Sequence, residues 1–272
     1  FGSIIGSFLN VCIYRIPRSE SIVSPGSRCA HCKKPIPWYY NIPFFSYILL
    51  KGKCRSCGKK ISFRYFIVEF ISALIFLVLF THFGFTAKFW IYSLLTFSLI
   101  VATFIDLEFQ IIPDRISIGG LVLGIVLSAL LPQLHNVSTW KAGLINSGLG
   151  ILVGGGVILF IKILGNSALY ILRRLGIKLR RNSKWRKTLA KYRHIKDSMG
   201  DGDIKLMAML GAFLGWKMAI LIFFLAPFFG TPAGLYIKFK KKENVIPYGP
   251  FISVASLVAI IWGERILSYL FF

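Results

Sequence analysis

The sequence is poor in acidic residues. Only 10 of its 272 residues are Asp or Glu, against 33 Lys or Arg, which gives a formal net charge of +23. Charged residues of both signs make up 16% of the chain, whereas 56% of the residues are hydrophobic. So few charges cannot cover the surface of a water-soluble domain of this size. The composition therefore excludes an ordinary soluble enzyme and indicates a membrane protein.

Cysteine and histidine are also scarce, with five and four residues. Cys12 lies in an apolar run and is interpreted as a small buried residue, whereas the other four cysteines form two close pairs. The chain begins with Phe1 and its first residues are already apolar, without the basic stretch and cleavage site of a signal peptide. We therefore expect a chain that is trimmed at its start.

Long apolar runs divide the chain into candidate membrane segments of roughly 20 residues, some shorter. The stretch 206–237 is too long for one crossing, and Gly215, Trp216 and Lys217 offer a turn within it. The predicted segments are 1–14, 66–81, 89–105, 116–131, 143–161, the two halves of 206–237, and 249–272. The sequence thus predicts an all-α polytopic membrane protein with about eight transmembrane helices.

Basic residues concentrate in alternate loops. Residues 15–64 carry eleven Lys or Arg and one acid, residues 173–196 carry eleven more, and residues 238–242 carry four. The positive-inside rule places such loops on the cytosolic side of the membrane. This topology accounts for most of the positive charge, so we expect no nucleic-acid partner. The loop 173–196 is either simply solvated or binds anionic membrane lipid headgroups.

Two C-x-x-C pairs predict a metal centre. Cys29 and Cys32 form the first pair, Cys54 and Cys57 the second, and 21 residues separate the pairs. Each pair begins the same weak repeat, C-x-x-C-x-K-x-I, and two such turns complete a tetrahedral zinc site with four cysteine ligands. The alternative is two disulfides, which a cytosolic location disfavours. His31 is a further candidate ligand, although four cysteines suffice.

The zinc is expected to be structural, because a closed shell of four thiolates leaves no open position for catalysis. A loop of this size has little core of its own, so the metal would supply much of its folding energy. The predicted organisation is a first transmembrane helix at 1–14, a cytosolic zinc module at 15–65, and a membrane-embedded core at 66–272. That core contains a basic cytosolic loop at 166–203.

Three of the few acids lie at the ends of apolar runs. Asp106 ends one run, Asp114 precedes the next, and Asp203 closes a Gly-Asp-Gly-Asp sequence that contains Gly200 and Gly202. Carboxylates at this depth are costly and indicate function. Two carboxylates that share one proton can activate water and polarise a carbonyl, which is the chemistry of aspartic proteases.

Each acid also has a structural interpretation. Asp106 taken alone is either a helix cap or a catalytic group, Asp114 is interpreted as a cap of the next helix or a helper of the site, and Asp201 is expected to face solvent. Glu108 and Asp197 are interpreted as interfacial charges. Glu69 lies inside an apolar helix, where it either pairs with Arg64 or Lys205 or contributes to a site.

Taken together, these residues resemble the bacterial type IV prepilin peptidases, the GxGD aspartyl proteases that also methylate prepilins. The resemblance covers nearly the whole chain, and its specificity comes from the order and spacing of short motifs. The motifs are residues 6–11 (GSFLNV), 15–17 (RIP), 41–43 (NIP), both cysteine pairs, 68–69 (VE), 112–114 (IPD), 200–206 (GDGDIKL) and 246–250 (IPYGP).

The resemblance implies that Asp106 and Asp203 are the catalytic pair. It also implies cleavage of the basic leader of prepilins and pseudopilins after a glycine, followed by methylation of the new amino terminus with S-adenosylmethionine. Gly200, Gly202, Asp114, Glu69 and Lys205 are supporting candidates for the site. No glycine-rich cofactor loop is recognisable, so the resemblance does not locate the S-adenosylmethionine site.

Two positions depart from the family pattern. The family usually has an acid before Asn-Ile-Pro, where this chain has Tyr40, and often a proline after Arg-Tyr, where it has Phe66. Tyr40 lies in the loop that the family associates with methyl transfer, so weak methylation is expected. Alternatives are a peptidase without methyltransferase activity, a non-enzymatic membrane assembly factor, and a transporter with proton-relaying aspartates.

Overall fold

The computed structural model describes residues 1–178, 199–241 and 247–271. Across these residues the chain is helical and contains no strand, only two isolated β-bridges. The helices are α1 (Gly2–Arg15), α2 (Phe45–Leu49), α3 (Arg64–Phe83), α4 (Ala87–Phe109), α5 (Asp114–Leu130), α6 (Trp140–Lys178), α7 (Asp201–Lys241) and α8 (Gly249–Phe271). The predicted all-α membrane fold is confirmed.

Among the residues that the structure describes, five helices are long and apolar enough to cross a membrane, and they lie within α3, α4, α6, α7 and α8. The remaining predicted segments correspond to α1, with 14 residues, and α5, with 17, which are shorter than the roughly 20 residues of a full crossing. The predicted turn within 206–237 is also present. Gly215 interrupts α7 with a φ of 79° and a ψ of 173°, a conformation that glycine adopts without steric cost.

One helix is longer than its apolar run. The sequence predicted a membrane segment at 143–161 and a loop from 166, but α6 continues to Lys178. No proline interrupts residues 162–178, so nothing in the chain breaks the helix where the apolar run ends. Most of the predicted basic loop, residues 179–198, lies outside the described part of the chain.

The helices form two compact units. The first comprises Phe1–Ile116 and Leu225–Phe272, and the second comprises Ser117–Phe224. In the first unit α1 packs on α3 and α4, and α4 packs on α8. Two glycines bring α1 close to α3, because a Cβ on Gly6 would lie 2.7 Å from the Cα of Glu69 and one on Gly2 would lie 2.7 Å from the Cβ of Phe76. Their spacing of four residues is the small-xxx-small pattern of close membrane helices.

The second unit is also built on close backbone contacts. Gly150 on α6 and Gly211 on α7 face each other, and a Cβ on either would collide with the backbone of the other. On α5, a Cβ on Gly124 would come within 2.9 Å of Phe213. Without a hydrophobic driving force in lipid, such close van der Waals packing holds membrane helices together.

Candidate active site and metal centre

Asp106 lies in the last turn of α4, on the segment predicted to carry it. The helix ends because Gln110 takes a left-handed conformation, with a φ of 55°, and its N–H donates to the carbonyl of Asp106 at 2.9 Å. The Asp106 side chain is buried, with 6% of the residue exposed. Its Oδ2 accepts a hydrogen bond from the backbone N–H of Gly249 at 3.0 Å. The carboxylate is therefore held in place by a second helix.

Gly249 is the first residue of α8, so its N–H has no partner within that helix. The positive end of the helix dipole also favours a negative charge at this position. A Cβ on Gly249 would lie 2.8 Å from Asp106 Oδ2, so only glycine fits without displacing the carboxylate. Sequence reasoning missed this residue as part of the site. The sequence feature that could have identified it is the IPYGP motif at 246–250, to which no function was assigned.

Asp203 lies in the first turn of α7, and 8% of the residue is exposed. Its N–H donates to the carbonyl of Gly200 at 3.3 Å, and a Cβ on Gly200 would lie 3.3 Å from its Oδ2. Gly202 is the second residue of the helix. Asp106 belongs to the first compact unit and Asp203 to the second, so their action as a pair stays a prediction.

The other acids and Lys205 occupy helix ends. Asp114 is the exposed first residue of α5, and Lys205 is half-buried in the first turns of α7. Asp201 is exposed, as expected, and forms an ion pair with Lys162 of α6. Asp197 lies outside the described residues.

Glu69 is buried in the first unit, with 8% of the residue exposed. Its Oε2 accepts a hydrogen bond from the backbone N–H of Phe44 at 3.0 Å. Arg64, one of the partners considered from the sequence, forms its ion pair with Glu108. This leaves Glu69 as a buried carboxylate on α3 rather than half of an ion pair with Arg64.

The four paired cysteines converge. The sulfurs of Cys29, Cys32, Cys54 and Cys57 all lie within 4.8 Å of one another, and their thiols are free. Zn–S bonds of about 2.3 Å in a tetrahedron would put the sulfurs about 3.8 Å apart. The Sγ atoms of Cys29 and Cys57 are 3.9 Å apart. The cluster could therefore hold a metal ion, and its geometry fits zinc.

The two cysteine turns share one backbone design. Cys29 N–H donates to Lys34 O at 3.0 Å, and at the same place in the second turn Cys54 N–H donates to Lys59 O at 2.9 Å. The fifth position of each turn is left-handed, with a φ of 61° at Lys33 and 68° at Gly58. The weak sequence repeat is thus a structural repeat, and only the second copy has glycine at the left-handed position.

The thiols influence one another. The backbone N–H of Lys59 lowers the pKa of the Cys57 thiol, but loss of solvent and hydrogen bonds with the other three cysteines outweigh it and raise this pKa to about 11. Without a metal, Cys57 is therefore a thiol at neutral pH. A cation must displace its proton to bind the sulfur.

Comparison with known families decides the class of the protein. The profile described as "Type IV leader peptidase family" matches residues 93–235, which is 143 of the 272 residues. The chain belongs to the type IV leader peptidase family. A second profile, "Bacterial Peptidase A24 N-terminal domain", matches residues 1–83. The protein is therefore an enzyme, a membrane-embedded peptidase. The matched regions contain both candidate aspartates and all four cysteines of the cluster.

Curated relatives resemble the chain along its whole length. A prepilin leader peptidase/N-methyltransferase of Stutzerimonas stutzeri is 32% identical over 300 residues, covering 100% of this chain and 92% of the relative. The proteins of the same name from Legionella pneumophila and Pseudomonas aeruginosa are 30% and 31% identical, covering 99% and 97% of this chain and 91% and 89% of the relatives. No solved structure matched the chain.

Proposed function

We propose that this enzyme cleaves the basic leader of type IV prepilins and pseudopilins after a glycine, with Asp106 and Asp203 as its catalytic pair. The observation that carries the proposal is the position of Asp106, a buried carboxylate held by the first N–H of another helix. The names of the full-length relatives support the substrate class.

The chemistry needs two carboxyl groups in different protonation states. One carboxylate takes a proton from water, which then attacks the scissile carbonyl carbon, while the other carboxyl group donates a hydrogen bond to the carbonyl oxygen. The Gly249 N–H orients the Asp106 carboxylate and offsets part of the cost of burying its charge, and we assign Asp106 as the base. Asp203 then acts as the acid.

The placement of both aspartates at helix ends favours a peptidase over a transporter. Asp106 is in the last turn of α4 and Asp203 is in the first turn of α7. Carboxylates that relay ions or protons in transporters lie near the middle of the membrane. A prepilin has a basic cytosolic leader followed by a membrane helix, so its scissile bond lies at the membrane edge. We place the active site and the cysteine module on the cytosolic side of the bacterial inner membrane.

The four cysteines are proposed to hold a structural zinc ion. Bound zinc would hold the two cysteine turns together. Both turns lie in the polar segment that connects α1 to α3. The proposal rests on the match between the observed sulfur spacing and a tetrahedral site.

The second proposed activity is methylation of the new amino terminus. S-adenosylmethionine, when bound, supplies an electrophilic methyl group attached to sulfur. The cysteine module is the proposed location, because S-adenosylmethionine is a charged molecule and residues 15–64 are rich in polar and charged side chains, unlike the apolar helices. Tyr40, at the position where the family has an acid, packs against Tyr39 with the two rings tilted by 56° and lies under the Arg55 guanidinium at 4.5 Å. This ring cannot supply a carboxylate, so we expect methylation to be weak.

One experiment tests both activities. Purified protein in detergent is incubated with a prepilin and S-adenosylmethionine, and the mass of the product is followed over time. Loss of the leader reports cleavage, and a further gain of one methyl group reports methylation. A product that is cut but never methylated would favour the peptidase-only alternative. An uncut prepilin would contradict the proposed substrate class of this peptidase.

A further inference from the structure

A cavity of about 1180 Å³ lies in the first unit, between the cysteine module and the ends of α1 and α3. Pockets for single small molecules are typically about 300–1,000 Å³, so this cavity has room for two ligands. Its walls include residues of both cysteine turns, and Asn10 and Glu69 line it from the two helices. Neither of these two side chains has a role in the proposed cleavage.

Asn10 is positioned by the close crossing of α1 and α3. Its Nδ2 donates to the carbonyl of Gly6 at 3.3 Å and to the carbonyl of Tyr65 at 3.0 Å. These two carbonyl partners fix the orientation of the amide, so the other terminal atom is the oxygen. Asn10 is 1% exposed, and its Oδ1 has no hydrogen-bond partner in the described part of the chain. A buried acceptor without a donor costs about 1–3 kcal/mol, which a ligand that donates would recover.

Glu69 is a second acceptor in the same cavity. Its carboxylate accepts hydrogen bonds from the backbone N–H of Phe44 and from the Ser7 hydroxyl, and it forms no ion pair among residues 1–178, 199–241 and 247–271. Buried carboxylates are normally paired with a cation. Two arginines that line the cavity are engaged elsewhere: Arg64 pairs with Glu108, and Arg15 donates to backbone carbonyls. Glu69 is therefore a buried carboxyl group without an ion pair among the described residues, although the cavity wall also carries the basic side chains of Arg18, Arg28, Lys33, Lys34, Arg55 and Lys60.

We propose that Glu69 and Asn10 form a binding site for a primary ammonium group. An ammonium has three N–H donors and a positive charge. It would satisfy the Asn10 oxygen and neutralise the Glu69 carboxylate at once. A calcium ion is a poorer fit, because the site offers one carboxylate and one amide oxygen, fewer than the six to eight oxygens that Ca²⁺ takes.

Two molecules of the proposed reaction carry such a group, so this inference rests on the proposed function. One is the amino terminus of the cleaved peptide, and the other is S-adenosylmethionine through its α-amino group. The cavity wall includes Glu108, which is two residues after Asp106 on α4, about 3 Å further along the helix. If the ammonium is the peptide's, Glu69 would take its proton: an N–H bond breaks, an O–H bond forms, and the nitrogen keeps the lone pair that methylation needs.

The first test measures binding to the full chain in detergent, with and without an amine on each probe. The probes are a short apolar peptide that begins with Phe, its N-acetylated form, S-adenosylhomocysteine and its deaminated analogue. One pair should show about 10- to 100-fold tighter binding of the amine form, the range expected for hydrogen bonds to a charged group. A preference within the peptide pair would identify the peptide amino terminus as the ammonium, and a preference within the S-adenosylhomocysteine pair would identify the α-amino group of the cofactor.

Two variants locate the effect. Glu69→Gln keeps the size of the side chain and an oxygen for the Phe44 N–H, and it should abolish the preference for the amine form. Glu20→Gln removes an exposed acid from the wall of the same cavity and should leave the preference intact. Equal binding of both forms by the native chain, or equal loss in the two variants, would overturn the proposal.

A second measurement needs no variant. A carbodiimide joins a carboxylate directly to an amine that touches it, and peptide mapping by mass spectrometry identifies the joined residue. We expect the amine probe to be attached at Glu69. Attachment at Glu20 or Glu108 without any at Glu69 would overturn the proposal. Prepilin cleavage is followed on the same preparations, and its absence from the native chain would count against the proposed peptidase and not against the ammonium site.

Discussion

Asp106 and Gly249 lie 143 positions apart in the sequence, yet the N–H of Gly249 donates to the Asp106 carboxylate at 3.0 Å. This bond joins the end of α4 to the beginning of α8. It fixes which way the carboxylate points, and it offsets part of the cost of burying the ionised form that a general base requires.

Replacing either proposed catalytic aspartate should stop cleavage. Asp106→Asn and Asp203→Asn keep the side-chain size but remove the ionisable group, and each should lower the rate of prepilin cleavage by about 10²–10⁴-fold. The rate is measured by product mass, and retained zinc shows that the variants fold. Asp114→Asn is the control and should have a smaller effect, because Asp114 is an exposed helix-terminal residue. An indispensable Asp114 together with a dispensable Asp106 would mean that we have chosen the wrong acid.

Gly249→Ala should impair cleavage without unfolding the protein. The added Cβ would lie 2.8 Å from Asp106 Oδ2, so the carboxylate must move or lose its hydrogen bond. We expect a loss of about tenfold or more in kcat, since small misplacements of reacting groups are costly. Gly156→Ala on α6 is the matched control, because no atom lies within 4 Å of a Cβ there. Equal activity of the two variants would show that the bond to Gly249 does not orient the base.

Metal analysis of the purified protein should give one zinc ion per chain, and Cys29→Ser should lower it. Zinc binds thiolates, so binding releases protons. Because the pKa of metal-free Cys57 is about 11, the apparent zinc affinity should rise with pH throughout the neutral range. Competition with a chelator at several pH values measures this. A zinc-free preparation with two disulfides would contradict both the metal centre and the cytosolic location of the module.

The left-handed positions of the two cysteine turns predict a reciprocal pair of variants. Lys33 has a φ of 61°, which costs a non-glycine residue about 1 kcal/mol, whereas Gly58 adopts its φ of 68° freely. Lys33→Gly should therefore slow the loss of zinc to a chelator about fivefold, and Gly58→Lys should accelerate it by a similar factor. Slower zinc loss from both variants, or from neither, would contradict the structural equivalence of the two turns.

Loosening the cysteine module should affect methylation more than cleavage. Asp106 and Asp203 lie outside the module, so the Cys54→Ser/Cys57→Ser protein should still cut prepilin, although more slowly. Methylation should fall much further, because its proposed site is built from the module. Both product masses are followed over time for the native and variant proteins. An equal proportional loss of the two activities would mean that the module only supports the fold.

The features predicted well from sequence are local ones. The apolar runs gave the helices, Gly215 gave the turn within α7, and the C-x-x-C-x-K-x-I repeat gave two equivalent turns. Each of these features depends on the conformational preferences of a few neighbouring residues, and those preferences do not depend on the arrangement of distant segments. The pairing of Asp106 with Asp203 depends instead on the arrangement of distant segments, and it stays a prediction.

The features that sequence reasoning missed are contacts between distant segments. Gly249 hydrogen-bonds Asp106 because α4 and α8 pack together, and no local sequence pattern predicts that contact. Asn10 meets Tyr65 because Gly6 brings α1 onto α3. Asn10 and Gly249 both lie in short motifs of the sequence. The motifs indicated that these positions matter, but they did not predict which residues Asn10 and Gly249 would contact.

The close crossing of α1 and α3 has a consequence for how the cysteine module responds to loss of metal. The module begins where α1 ends and finishes where α3 begins, so two packed helices hold its chain ends together whether or not zinc is bound. Closing a free loop of this length would cost about 3 kcal/mol from its length-dependent entropy alone. In this protein the packing of α1 on α3 already holds the ends of the loop together, so zinc binding does not have to close the loop. A chelated module is thus a tethered loop with its ends in register, and returning zinc should rebuild it without any rearrangement of the helices below.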